Sequence, residues 1–272
     1  MTDGGDPHGI APATDRRPSL PGRVAPPVAL FALVVGSWHA LAVVSDVPTV
    51  ILPGPTTVLA AGVEAWRPLL GAAAVSATTA ALGLAAGTVV GLGLSFAMVA
   101  SPTARAVVQP YLVALRVAPL VAIAPLVFLW AGSGLPSRAL LVATLTVFPV
   151  ALGGLDGLRS TPTAYLDLMR SVDAGPLATF LHVRVPAAAP SVLAGVKLAA
   201  ALSVIGTVVA EFLTLRAGLG YRVFAAADAL ETALVFAALF ALVGLGLLFY
   251  FAAVGLERAL VGERGRGKPS QH

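Results

Sequence analysis

Catalytic and metal sites are usually built from histidine, cysteine, activated serine and paired carboxylates. In this chain none of these is arranged to build one. Cysteine is absent, which removes disulfides, thiolate metal sites and a cysteine nucleophile. The four histidines, His8, His39, His182 and His272, are scattered, and no two stand at metal-ligand spacing. There is no Gly-x-Ser-x-Gly elbow. One near miss is the run from Gly262 through Gly267 to Lys268, which fits the first seven positions of a phosphate-binding loop. The next residue is Pro269, where a magnesium-binding Ser or Thr is required, and no strand precedes the run. It reads as a basic tail. No enzymatic activity, metal or cofactor is expected of this chain.

The elements around these residues explain why. Of 272 residues, 58% are hydrophobic and only 11% charged, with a mean hydropathy of +0.92. A soluble domain is about a quarter charged, so too few charges remain to keep this surface in water, and it must face lipid. The net charge of +4 and pI near 10.0 do not indicate nucleic acid, because the basic residues are not gathered on one element.

Residues 1–25 lack periodicity and read as a disordered cytoplasmic tail. The apolar run from Pro26 to Val44 matches the roughly 20 residues that cross a bilayer. Its full length and the polar segment before it favour a retained helix over a cleaved signal peptide. A proline-rich turn through Pro48, Pro53 and Pro55 follows, then a short interfacial segment from Thr56 to Trp66. Further spans are expected at Gly71–Ala100, Ala139–Leu155, Val192–Leu213 and Ala233–Leu256. The third span, within Ala106–Trp130, carries Pro110, Pro119, Pro125 and a central Arg116. A charge at mid-bilayer costs at least about 2.5–3.5 kcal/mol. An interfacial helix up to Arg116 followed by a short kinked span would let the arginine snorkel to the inner surface; alternatively it faces a polar cavity. The fold class is therefore all-α, a polytopic bundle of about six spans over residues 26–256, with a basic cytoplasmic tail over 257–272.

Orientation follows from the Lys/Arg bias. With the N-terminus inside, the inner side receives Arg16, Arg17, Arg23, Arg105, Arg159, Arg170, Arg184, Lys197, Arg258, Arg264, Arg266 and Lys268, and the outer side only Arg67, Arg138, Arg216 and Arg222. Both termini and the long polar stretch 156–189 are then cytoplasmic.

Two helix faces carry packing information. Gly83, Gly87 and Gly91 recur every four residues, so they share one face and admit another helix closely, either within the chain or across a dimer. In the fifth span Ala199, Ser203, Gly206 and Ala210 form a small face that packs against a helix or lines a translocation pathway. Glu211 sits near its edge at the outer end, as an interfacial charge or part of the pathway's outer mouth.

The stretch from Asp167 to Pro190 carries a resemblance. Asp167, then Val183, Val185 and Pro186, with a second proline at Pro190, resemble the "EAA" loop of permease subunits in binding-protein-dependent ABC importers, particularly the nitrate, taurine and aliphatic-sulfonate branch. Pro53-Gly54-Pro55, Ala118-Pro119, Pro125-Leu126, Ala210-Glu211 and Gly218 through Tyr221 are similar to that branch in order and spacing, covering roughly residues 48–255. Departures are Leu168 and Met169 in place of a small pair, and Asp173 where the family usually has Gly, with Gly175 two residues on, as if the turn had shifted.

The resemblance implies a type I ABC importer permease in a bacterial inner membrane. It would work as a homodimer with two ATPase subunits and an extracytoplasmic substrate-binding protein, moving a small anion such as a sulfonate, taurine or nitrate, or a pyrimidine precursor of thiamine. The polar stretch would form a coupling helix that the ATPase grips, with Asp167, Met169, Arg170, Val172, Asp173, Gly175 and Pro186 as contact candidates. Ser203, Gly206 and Glu211 are the pathway candidates. Hydrolysis of ATP would lie on the separate chain. A secondary transporter would instead show paired intramembrane charge or an inverted repeat, neither of which is clear here, and a membrane-embedded enzyme lacks its catalytic residues.

Overall fold

The computed structural model describes residues 20–214 and 216–261; the terminal tails, including the glycine-rich run before Pro269, lie outside the described residues. The described residues are helical, with no strand among them. They divide into two compact units, Met1–Pro55 and Thr56–His272.

The first unit holds α1 (Leu20–Val44), which starts earlier than the expected Pro26 and carries Pro26 and Pro27 inside it. Its apolar stretch Ala25–Val44 is long enough to span, and side chains such as Phe31, Leu33 and Val44 are exposed. Such a surface suits lipid rather than water.

In the second unit the elements are α2 (Pro55–Glu64), α3 (Trp66–Ala100), α4 (Pro102–Val117), α5 (Leu120–Ala131), α6 (Leu135–Arg159), α7 (Thr163–Ser171), α8 (Pro176–Thr179), a π-helical stretch (Phe180–Arg184), α9 (Val185–Thr214), α10 (Leu219–Asp228) and α11 (Thr232–Val261). Among the described residues five helices, α1 included, are long and apolar enough to cross a membrane, or six if α4 and α5 count as one broken span. That pair bends by 101° at Ala118-Pro119. Pro119 lacks the N–H a continuing helix needs and restrains Ala118 to an extended backbone. The expected division into two helical pieces is thus present, with the break at Ala118-Pro119 rather than after Arg116.

The core lies where α6 packs between α3 and α9. The glycine stripe makes the first interface: Gly83, Gly87 and Gly91 face Val142, Thr146 and Val150 of α6. Thr146 Oγ1 reaches across to the Gly83 carbonyl at 3.2 Å. The repeat therefore packs two helices of one chain. Gly153 and Gly157 of α6 do the same against Ser191 and Ala188 of α9, and Gly195 of α9 against Pro149. Small residues replace a hydrophobic driving force that lipid cannot supply between helices. Lys197 of α9 and Glu257 of α11 form a half-buried ion pair at 2.8 Å.

Candidate functional site

The polar stretch expected as a loop is mostly helix. Only Ser160–Pro162 and Val172–Gly175 break it, and the Val183–Pro190 ending of the motif is continuous helix from the π stretch into α9. Pro186 stands inside this continuous helix, two residues past the π stretch, where the i→i−4 bonding pattern is already interrupted and its missing N–H is tolerated. It is exposed but belongs to a different element from the other coupling candidates.

Between those breaks α7 stands with no fully buried residue. Leu166 and Met169 are half-buried and define its inward side; Asp167, Leu168, Ser171 and the cap residue Val172 are exposed. Arg170 and Asp167 pair at 2.8 Å with exposures of 78% and 64%, which at such exposure contributes at most about 1 kcal/mol. Met169 thus supports the helix from beneath, while the apolar exposed residues include Leu168 and Tyr165, which the motif did not single out. Their signal was a wide apolar side on a short, otherwise polar helix.

The end of α7 explains Asp173. Asp173 has φ +50°, its N–H donates to the Arg170 carbonyl at 3.1 Å, and the Ala174 N–H donates to the Met169 carbonyl at 2.9 Å. These two bonds form a Schellman cap, whose left-handed residue is usually glycine. The turn has not moved to Gly175, which serves as the N-cap of α8. Asp173 occupies the glycine's conformation, one that aspartate tolerates better than most residues. Asp173→Gly is therefore expected to keep the cap and stabilise it by up to about 1 kcal/mol, whereas Asp173→Val should cost about 1–2 kcal/mol locally. Hydrogen exchange across residues 163–175 reads this; a Gly variant that exchanges faster than wild type would contradict it.

Of the pathway candidates, Ser203 and Gly206 are buried, with Gly206 against Val142 and Leu145 of α6, so the small face packs against a helix, one of its two expected roles. Glu211 is not at the water interface: it is 0% exposed. Ser76 Oγ of α3 lies 2.9 Å from both its carboxylate oxygens, the Gly220 N–H donates to Oε2 at 2.9 Å, and the Leu219 N–H donates to Ser76 Oγ at 2.8 Å. Arg138 of α6 supplies an opposing charge. One carboxylate thereby ties α3, α9 and the start of α10 together. Nothing in local sequence pointed to Ser76, since a hydroxyl among alanines reads as ordinary helix surface.

Open space lies elsewhere. A groove of about 710 Å³ is bordered by the end of α4, α6 and α9, with Arg116, Thr144, Phe148 and Asp156 in its wall. Arg116 stacks over the Phe148 ring, its Cζ 5.0 Å from the centroid. Arg116 is exposed at the end of α4 and borders this groove, a place that suits either a polar cavity or a side chain reaching the membrane surface.

Comparison with known proteins agrees with this architecture. Residues 87–262 match the family described as "Binding-protein-dependent transport system inner membrane component". The chain is 34% identical to a "Probable ABC transporter permease protein" of Haemophilus influenzae, over 85% of this chain and 94% of that one. It is 32% identical to a formylaminopyrimidine transport permease of Halalkalibacterium halodurans (86% and 94% covered), and 28% identical to a taurine transport system permease of Escherichia coli (86% and 87% covered). Matched along most of its length, with several membrane-spanning helices among its described residues, the chain belongs to the inner membrane permeases of binding-protein-dependent ABC transporters.

Proposed function

We propose that this permease carries a small solute inward, as a homodimer driven by two separate ATPase subunits and supplied by an extracytoplasmic binding protein. The observation that carries the proposal is α7: a short, solvent-facing helix, set off from the spans by two breaks, with Asp167, Arg170, Leu168 and Val172 exposed together. A helix with that mixed surface is suited to a partner's groove. With both termini cytoplasmic, α7 lies on the ATPase side. Closing of the ATPase pair would then shift α7, and the break at Ser160–Pro162 passes the motion to α6.

The groove at Arg116 and Asp156 is the solute face, which a second copy of the chain encloses. A wall with one guanidinium and one carboxylate suits a small polar solute, such as a taurine-, sulfonate- or nitrate-like anion or a formylaminopyrimidine-like pyrimidine. The relatives named for taurine and formylaminopyrimidine support that range.

The test exploits the Asp167–Arg170 pair. In the double variant D167K/R170E the pair is kept with reversed ends, so helix support within α7 survives while the charges offered to a partner invert. ATPase co-purification is expected to fall at least about tenfold, equivalent to about 1.4 kcal/mol, with membrane insertion intact. In proteoliposomes, solute should move only with the ATPase and ATP. Undiminished co-purification would remove α7 as the docking element; uptake by the chain alone along an ion gradient would overturn the importer reading.

A further inference from the structure

Beside α7 lies a feature that neither docking nor solute passage uses. A cavity of about 550 Å³ is lined by Arg105 of α4, Arg159 at the end of α6 and Arg184 of the π stretch. Its remaining wall is largely apolar, with Met98 of α3, Leu158 of α6 and Leu166 of α7. No carboxylate lines it. Across Leu166 and Arg184 a second cavity of about 530 Å³ adds Arg170, again with no carboxylate in its wall. Arg170 is the member with a compensating anion, Asp167. Arg105 bonds only the neutral Gln109, through Nε at 3.2 Å, and Arg159 and Arg184 have no ion pair or hydrogen bond to any side chain among the described residues.

Three guanidiniums drawn to one cavity repel each other unless an anion joins them. The surroundings say which anion. On α4 Arg105 and Gln109 are half-buried and line the cavity, while Val107, Tyr111 and Val117 are exposed at 55%, 73% and 77%. An outward apolar face on a helix of a membrane protein suits acyl chains, so the helix that carries Arg105 is one that lipid can flank. A guanidinium cluster over an apolar floor, at the end of the spans, matches a phosphodiester whose tails continue into the bilayer.

We propose that this cavity is a binding site for the phosphate of an anionic phospholipid, held by Arg105, Arg159 and Arg184. The lipid there bridges α4, α6 and the helix leading into α9, next to the root of α7. Assignment to the inner leaflet rests on the cytosolic placement of α7 proposed above; headgroup binding itself does not.

The full chain, purified in detergent and passed into nanodiscs, is titrated with phosphatidylglycerol, phosphatidylcholine and, separately, inorganic phosphate, with native mass spectrometry and thermal unfolding as readouts. The wild type is expected to prefer phosphatidylglycerol over phosphatidylcholine by well over tenfold, and to ignore millimolar phosphate. R105Q, R159Q and R184Q should each weaken that preference about fivefold, and R184K should retain most of it. Equal retention of the two lipids by the wild type, or a triple Gln variant with an unchanged preference, overturns the proposal. Inorganic phosphate binding as tightly as the lipid overturns the lipid assignment in favour of a soluble anion. Loss of ATPase co-purification with lipid preference intact overturns it in favour of a protein contact. Nanodiscs expose both leaflets, so failure of headgroup binding leaves the docking reading untouched, and a misplaced α7 leaves headgroup binding intact.

Discussion

Glu211→Leu is expected to lower stability by about 2–4 kcal/mol and to release α10 from α3 and α9. The substitution leaves the Gly220 N–H and the Ser76 hydroxyl without their acceptor in a site of zero exposure. Each such orphan costs about 1–3 kcal/mol, partly offset because a buried carboxylate no longer has to be desolvated. Glu211→Gln keeps an oxygen for the Gly220 N–H and an amide for the Ser76 oxygen, so its loss should stay near about 1 kcal/mol. The same arrangement makes Gly218 irreplaceable. It has φ +105°, and a Cβ there would overlap the Glu211 carboxylate. Gly218→Ala should therefore move stability in the same direction as Glu211→Leu. Thermal unfolding in detergent, with hydrogen exchange over residues 216–228, checks both. A Leu variant as stable as wild type, with unchanged exchange, would show that the carboxylate fastens nothing.

A comparable loss is expected for Gly87→Leu, by a different cause. A Cβ at Gly87 would overlap Thr146 Oγ1, sit 2.9 Å from Thr146 Cβ and 3.1 Å from the Ala143 carbonyl. Leucine must push α3 and α6 apart along their contact, at a cost of about 1–3 kcal/mol or more. Gly93 lies on the same helix with nothing within 4 Å of an added Cβ, so Gly93→Leu is the control and should unfold like wild type. The pair of variants also separates the two readings of a glycine repeat. Were the repeat a dimer seam, Gly87→Leu would change subunit association and leave the protomer's unfolding temperature alone. Here the protomer's own unfolding should fall.

Much of this molecule is legible from its chain because lipid imposes a one-dimensional code. Backbone groups in hydrocarbon must be satisfied within the segment, so an apolar run of spanning length becomes a helix whatever surrounds it. For that reason the spans near Gly71–Ala100 and Ala233–Leu256 were readable beforehand, while prolines and residue spacing gave the two-piece third segment and the glycine repeat. Asp173 shows the limit of motif matching. Its deviation from glycine suggested a displaced turn, whereas the hydrogen bonds of the helix end dictate a left-handed residue at that position whichever side chain is present.

Membrane passage, helical class and family were thus contained in the order of residues, since each depends on local hydropathy, breakers and spacing. Tertiary structure alone decided that Glu211 is enclosed rather than wet, that Ser203 and Gly206 meet α6, that Arg116 lies on Phe148, and that three arginines from separate helices share a cavity. In each case the deciding partner lies tens of residues away, as Ser76 does from Glu211. Helical periodicity says which residues share a face; the packing of several helices determines what that face meets.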